Sequence, residues 1–142
     1  MANTLQQAII ELQQVIDSVA GIRKVPTYAT EEIPVFPFVQ IYPESGEIDT
    51  KIVGSKTGLH NIIIELHVAR KDLPRDIQKS IGFVDSIPTA LFTDLFSGAS
   101  STFSAVQTWD TISYSYGALN WGNKKTFGIR FTMSNVKVIK IL

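Results

Sequence analysis

Between Leu59 and Leu95 the spacing of apolar residues changes once, from two to about four. Ile62, Ile64, Leu66 and Val68 fall on one side of an extended segment, which predicts a strand with an apolar face over 59–70. Asp72-Leu73-Pro74 then opens a helix carrying Ile77, Ile81, Val84, Leu91 and Leu95. Pro74 suits a first turn, where its missing N–H has no partner to lose. Pro88 falls further in, removes a hydrogen bond and crowds the carbonyl of Val84. A kink or break near Ile87 is therefore expected, with a second short helix to about Phe96.

The same test places a helix over 4–20. Leu5, Ile9, Leu12, Ile16 and Val19 make one stripe, with Gln6, Gln13, Gln14 and Asp17 opposite. Thr4-Leu5-Gln6-Gln7 fits a capping box, and Gly21 is placed to end the helix in a left-handed conformation. Residues 23–28 read as a short strand, demoted to an edge by Pro26. A Pro-containing connector over 31–37 leads to a strand over 38–42. Residues 43–58 read as a long loop, less polar than a plain linker because of Ile48, Ile52 and Val53. Ordering by a partner, or strand extensions that protrude from the domain, would account for that content.

Residues 103–116 read as a strand region with Ile112, Tyr114 and Tyr116 on one face, and 117–123 as a turn. Phe127, Ile129, Phe131 and Met133 alternate over 126–133. Ser134-Asn135 suggests a bulge or turn, and 136–142 either continues the sheet or leaves the body as an arm. These elements predict a single α+β domain over 1–142, a mainly antiparallel sheet with two main helices packed on one face.

Composition narrows the function classes. A chain of 142 residues carries a sizeable core without staples, and the absence of cysteine excludes a disulfide framework or thiolate metal site. Gln6, Gln7, Glu11, Gln13 and Gln14 interrupt the N-terminal segment, so no signal peptide is expected, and no apolar run suits a membrane span. Net charge is zero, yet the charges are segregated. Glu31, Glu32, Glu44, Glu47 and Asp49 form a stretch without bases, while Lys124, Lys125, Arg130, Lys137 and Lys140 follow Asp110 without acids. A solvated surface is the plain reading; a basic surface of one copy meeting an acidic surface of another is the sharper one. Sequence-specific nucleic-acid binding would call for a basic excess with interleaved aromatics, which is missing.

Chemistry is sparse. His60 and His67 have opposite parity on one strand and cannot share a ligand, whereas Glu65 and His67 share a face. That pair is a weak candidate for acid–base or metal chemistry against a solvated strand face. Gly54-Ser55-Lys56-Thr57 splits the Gly-Lys pair of a phosphate loop and precedes a strand, so it reads as a turn. Asp72 reads as a helix cap and Asp76 as a complement to the helix N-terminus, with Asp85 and Asp94 solvated. No Gly-x-Ser-x-Gly elbow is present. Trp109 and Trp121 flank the Tyr114/Tyr116 strand, where they pack on the sheet or anchor an interface.

The layout, together with Val68-Ala69-Arg70-Lys71-Asp72-Leu73-Pro74, the helical run Phe83-Val84-Asp85-Ser86-Ile87-Pro88-Thr89-Ala90-Leu91, and Tyr114-Ser115-Tyr116-Gly117-Ala118-Leu119-Asn120-Trp121-Gly122, resembles the tail terminator (tail completion) proteins of long-tailed siphophages. The resemblance implies a structural virion subunit of the tail and neck region, assembled in the host cytoplasm as a homo-hexamer. Such a ring caps the tail tube, stops its polymerisation and joins the tail to the head connector. Its implied partners are the tail tube protein, the head–tail connector protein and genomic DNA that passes without sequence reading. No enzymatic activity, cofactor or metal is expected, since His60 and His67 diverge, cysteine is absent and no nucleophile–base pair is visible, and no membrane partner is expected. Glu44, Glu47, Asp49, Lys51, Lys56, Trp121, Lys124 and Lys125 are the candidate interface residues. The alternatives are another neck or tail tube protein, a small-molecule-binding or enzymatic α+β domain using the Glu65/His67 face, and a stand-alone interaction module.

Overall fold

The computed structural model describes residues 4–26, 36–51, 55–68, 73–121 and 124–141. Helix α1 (Leu5–Asp17) is followed by strands β1 (Phe38–Asp49) and β2 (Ser55–Val68), helix α2 (Leu73–Leu95), and strands β3 (Val106–Thr108), β4 (Thr111–Trp121) and β5 (Lys124–Ile141). All strand pairings between these elements are antiparallel. β5 is the central strand, with β2 on one side and β3 and β4 in succession on the other; β1 lies outside β2. The α+β class with a mainly antiparallel sheet is as expected.

The core forms where the two helices meet one face of this sheet. Ala8, Leu12, Val15 and Ile16 of α1 and Ile87 and Leu91 of α2 are buried with Val39, Ile41, Ile62, Ile64, Leu66, Ile129, Phe131 and Met133. The residues of β2 and β5 have the parity predicted from sequence. Thr4 caps α1, its hydroxyl accepting from Gln7 N at 3.1 Å. The reciprocal half of the box is replaced by a bond from Gln7 Nε2 to Glu11 Oε2 at 3.3 Å. Gly21 has a φ of 93°, the left-handed stop expected of it, although the helix itself ends four residues earlier. Gln13, on the face opposite the apolar stripe, is buried.

Several expectations need correction. α2 runs unbroken through Pro88, because packing of Ile87 and Leu91 into the core holds the helix across the missing hydrogen bond. Residues 43–49 and 55–58 are strand and not loop, the protruding strand extensions that their apolar content allowed, with 52–54 outside the described residues. β1 and β2 stay paired out to Asp49↔Thr57, forming an arm whose side chains from Pro43 to Asp49 are exposed. Hydrophobic alternation could not reveal strands that extend past the helices, since backbone pairing and not burial holds them. Residues 136–141 continue β5 beside β2, so there is no free C-terminal arm among the described residues. Residues 117–121 of the predicted turn over 117–123 are strand, because β4 and β5 pair out to Trp121↔Lys124, and 122 and 123 lie outside the described residues. The expected strand over 23–28 is reduced to one bridge from Lys24 to Phe38, with 27 and 28 outside the described residues.

The irregularity at Ser134-Asn135 is a bulge, as expected. His60 pairs with Val136 and Ile62 with Met133, so Asn61 alone opposes Ser134 and Asn135. Asn135 adopts a φ of 54° and donates its N–H to Asn61 Oδ1 at 3.3 Å.

Candidate functional site

The face of the sheet away from the helices carries an unusual amount of buried polarity. Gln40 of β1, Glu65 and His67 of β2 and Thr126 of β5 are all nearly inaccessible. Antiparallel register brings them together, since Glu65 lies between Gln40 and Arg130, and His67 between Phe38 and Gly128. His67 Nδ1 lies 2.5 Å from the Thr126 hydroxyl, and His67 Nε2 lies 3.3 Å from Glu65 Oε1. The other carboxylate oxygen, Oε2, accepts from Tyr42 Oη at 2.7 Å and from Arg130 Nη2 and Nε at 2.7 and 3.1 Å. Arg130 Nη2 also donates to Tyr42 Oη at 3.2 Å.

The electrostatics follow from this geometry. Burial pushes the Glu65 carboxyl upward, but contacts from His67, Tyr42 and Arg130 outweigh it and hold its pKa down at about 2. Burial and the adjacent carboxylate push the Tyr42 phenol up to about 12. The hydrogen bonds to Glu65 raise Arg130 further above its already high value. Glu65 is therefore a fixed negative charge at neutral pH, with Arg130 reaching it from a half-exposed position.

Hydroxyl, imidazole and carboxylate stand here in the order used by acyl-transfer enzymes. The resemblance stops at access. Thr126 is 4% exposed and His67 0%. A groove of 300 Å³ along Ser115–Asn120 is lined by Arg130 but by no other member of this group. The arrangement braces three strands, β1, β2 and β5, across their shared polar face. No group of three metal-ligating side chains occurs among the described residues.

A second buried carboxylate was not singled out from sequence. Glu11, 1% exposed on α1, accepts from Ser104 N and Oγ at 3.1 and 2.8 Å, from Ala105 N at 2.9 Å and from Val106 N at 3.3 Å. It anchors the first helix to the start of β3 through backbone amides. Its place among the stripe-flanking polar residues gave no sign of this.

His60 lies on the helix-facing side, at the base of the arm. Its ring covers Gly46 and Gly58, where added Cβ atoms would meet Nδ1 at 2.6 Å and Nε2 at 2.3 Å. Burial and nearby Lys56 lower its pKa below the usual imidazole value.

The candidate interface residues divide into two groups. Glu44, Glu47 and Asp49 are exposed on β1 of the arm, and exposed Lys51 donates its N–H to Asp49 Oδ1 at 2.9 Å. Lys56 sits on the neighbouring β2, partly exposed. Lys125 is exposed at the start of β5, paired with Asn120. Trp121 and Lys124 face each other at the end of the β4–β5 hairpin, and their side chains lie outside the described residues. Of the remaining expectations, Glu31, Glu32, Gly54 and Asp72 also lie outside them. Asp94 is bonded, accepting from Thr102 N and Oγ1 at 2.6 and 2.9 Å. Trp109 packs edge-on against Phe103 at 6.0 Å. Comparison with known proteins returned no matching family model and no significantly similar curated sequence.

Proposed function

We propose that this chain is a structural subunit, a phage tail terminator that assembles head-to-tail into a homo-hexameric ring. The ring caps the tail tube, stops its growth and presents its other surface to the head connector. The terminator assignment rests on the resemblance of layout and of the runs around Pro74, Pro88 and Trp121. The observation that carries the ring is the placement of charge. Glu44, Glu47 and Asp49 project from the arm of the outer strand β1, while exposed Lys125 stands at the far end of β5; Lys137 lies in the arm's own row, across Leu59 from Glu47, and Arg130 is engaged by Glu65. In a closed head-to-tail ring each subunit offers a different patch to each neighbour, so opposite charges meet at every contact.

Such pairs are individually weak, about 0–1 kcal/mol when exposed, and salt screens them. The ring is accordingly labile in the pure protein and firm on a tail end, where many contacts form together. The stacking of tube rings halts geometrically, because the terminal ring pairs with the tube on one side only. Genomic DNA passes through the channel without sequence reading, and a chain of zero net charge suits passage without retention. The inaccessible Thr126 and His67 favour this reading over a ligand-binding or enzymatic domain on the Glu65 face. No helix among the described residues is long and apolar enough to cross a membrane.

Electron microscopy of the protein mixed with tail tubes tests the proposal. Sixfold rings seated on tube ends are expected, and the double reversal Lys124→Glu, Lys125→Glu should reduce them while the circular dichroism spectrum is unchanged. Another rotational symmetry removes the ring, and rings that form equally in the double mutant at low and high salt remove the charge argument. Sixfold rings that bind the connector but not tube ends would make the chain a neighbouring neck protein.

A further inference from the structure

We infer that the seam between α2 and β4 is the contact by which two copies of this chain pair about a twofold axis. The inference rests on the seam alone and does not require the hexameric ring. Two features coincide there. Among the described residues β4 has a strand on one side only, β5, which leaves an outer row of backbone donors and acceptors over Thr111–Trp121. That strand, Thr-Ile-Ser-Tyr-Ser-Tyr-Gly-Ala-Leu-Asn-Trp, has no charged residue and no proline. These are the devices that keep an edge strand from pairing with another chain.

Beside this edge, α2 exposes apolar surface. Tyr116 ties the two elements together, donating from Oη to Ile77 O at 3.3 Å and contacting the Ser80 hydroxyl. Ile81 and Phe92 of α2, Phe96 just beyond its end and Tyr114 of β4 are 54, 58, 70 and 57% exposed. A whole aromatic side chain presents roughly 200 Å², so these four leave about 450 Å² of mainly apolar area uncovered. A stable interface buries about 800 Å² per partner, so the seam supplies around half of one before the strand edge and rim are counted. A groove of 370 Å³ between Pro88, Phe92, Trp109 and Ile112 adjoins it, and Phe96 packs against Phe92 at its end with ring centres 4.7 Å apart.

The chain itself offers the best match for such a surface. The remaining large exposed apolar residues among those described, Ile48 and Leu59, belong to the arm and lie on opposite faces of it. Among the described residues, the seam combines an uncharged strand edge with an apolar helix flank, and a second seam offers both again. Antiparallel pairing of β4 with its copy near Tyr114 would extend the sheet and bring the two α2 flanks together on the same face. That contact buries the seam of both copies at once. Centred on Tyr114, it is separate from the charged arm and lies seven residues along β4 from the hairpin end at Trp121.

Sedimentation equilibrium of the full chain over a range of concentrations, with Tyr114→Asp and Phe96→Asp, tests the inference. Both side chains are more than half exposed, so folding should survive, and circular dichroism with thermal melting verifies it. The wild type should dimerise, and each variant should associate at least ~30-fold more weakly, the effect of losing an interface anchor. In the cysteine-free chain, Tyr114→Cys should also form a disulfide-linked dimer on oxidation. A wild type that stays monomeric throughout overturns the inference, as does association unchanged in both variants. Hexamers that persist undiminished in both variants defeat the seam contact and leave the ring standing; dimers without rings do the reverse.

Discussion

The two margins of the sheet are built on opposite principles. The β1 margin is guarded. Pro43 and the register shift beside it interrupt its ladder, and Glu44, Glu47 and Asp49 charge its far half. Its near half is occupied by the chain, with Val39 N donating to Lys24 O and Arg23 N to Pro37 O, both at 3.0 Å. The β4 margin has none of these protections and lies beside an apolar helix flank. The margins are also tied to β5 differently. Tyr42 reaches the centre of the sheet through the Glu65–Arg130 network, whereas β4 is held to α2 by Tyr116. Edge strands are normally blunted where pairing would be harmful. The contrast therefore separates a margin kept from backbone pairing from one left available for it.

The largest effect is expected at the polar brace. Glu65→Ala strips Arg130, Tyr42 and His67 of their common acceptor and should cost about 3 kcal/mol in a urea unfolding curve, as expected for breaking a buried pair. Because the folded-state pKa of Glu65 is depressed to about 2, its contribution is full above the unfolded value near 4.5 and is lost as pH falls toward 2. The variant should show a shallower acid decline than the wild type over that window. If the brace belongs to the β1 margin, amide exchange should rise more in β1 than in β4.

Tyr116→Phe probes the other margin. It removes the phenol's bonds to Ile77 O and Ser80 and should cost about 1 kcal/mol, with exchange rising at the α2–β4 seam. A smaller, pH-dependent effect belongs to the arm. His60 has a folded-state pKa below its unfolded value, so its neutral form is favoured by folding. That contribution is complete above about pH 6.5 and declines as pH falls below it. The Tm should drop between pH 7.5 and 5.5 in the wild type and less in His60→Gln; equal slopes would remove His60 from the account. Least affected should be Glu47→Lys on β1, within about 0.5 kcal/mol of wild type in stability and without effect on dimerisation.

The parts of the molecule that could be read from sequence are those in which burial and periodicity coincide. Ile62–Val68, Phe127–Met133 and the α1 stripe each bury the face their spacing indicated. The arm could not be read this way, because β1 from Pro43 to Asp49 is exposed on both faces and ladder pairing leaves no hydrophobic signature. The Pro88 signal was real but outweighed by the packing of Ile87 and Leu91. The Glu65–His67 pairing was legible from parity, but Tyr42, Arg130 and Thr126 joined it only through register set by distant strands. Nothing in the residues around Glu11 disclosed that its carboxylate would hold Ser104–Val106, a contact spanning more than ninety residues. The β4 edge was visible only as an aromatic strand; its unpaired outer side is a fact of topology.

Amide hydrogen exchange along β4 and β1, measured at high and low protein concentration, tests the central contrast most directly. The account predicts that outward-facing β4 amides exchange slowly in concentrated protein and quickly on dilution, while β1 amides are unaffected by concentration. Rapid exchange of those β4 amides at every concentration, or concentration-dependent protection confined to β1, would contradict it.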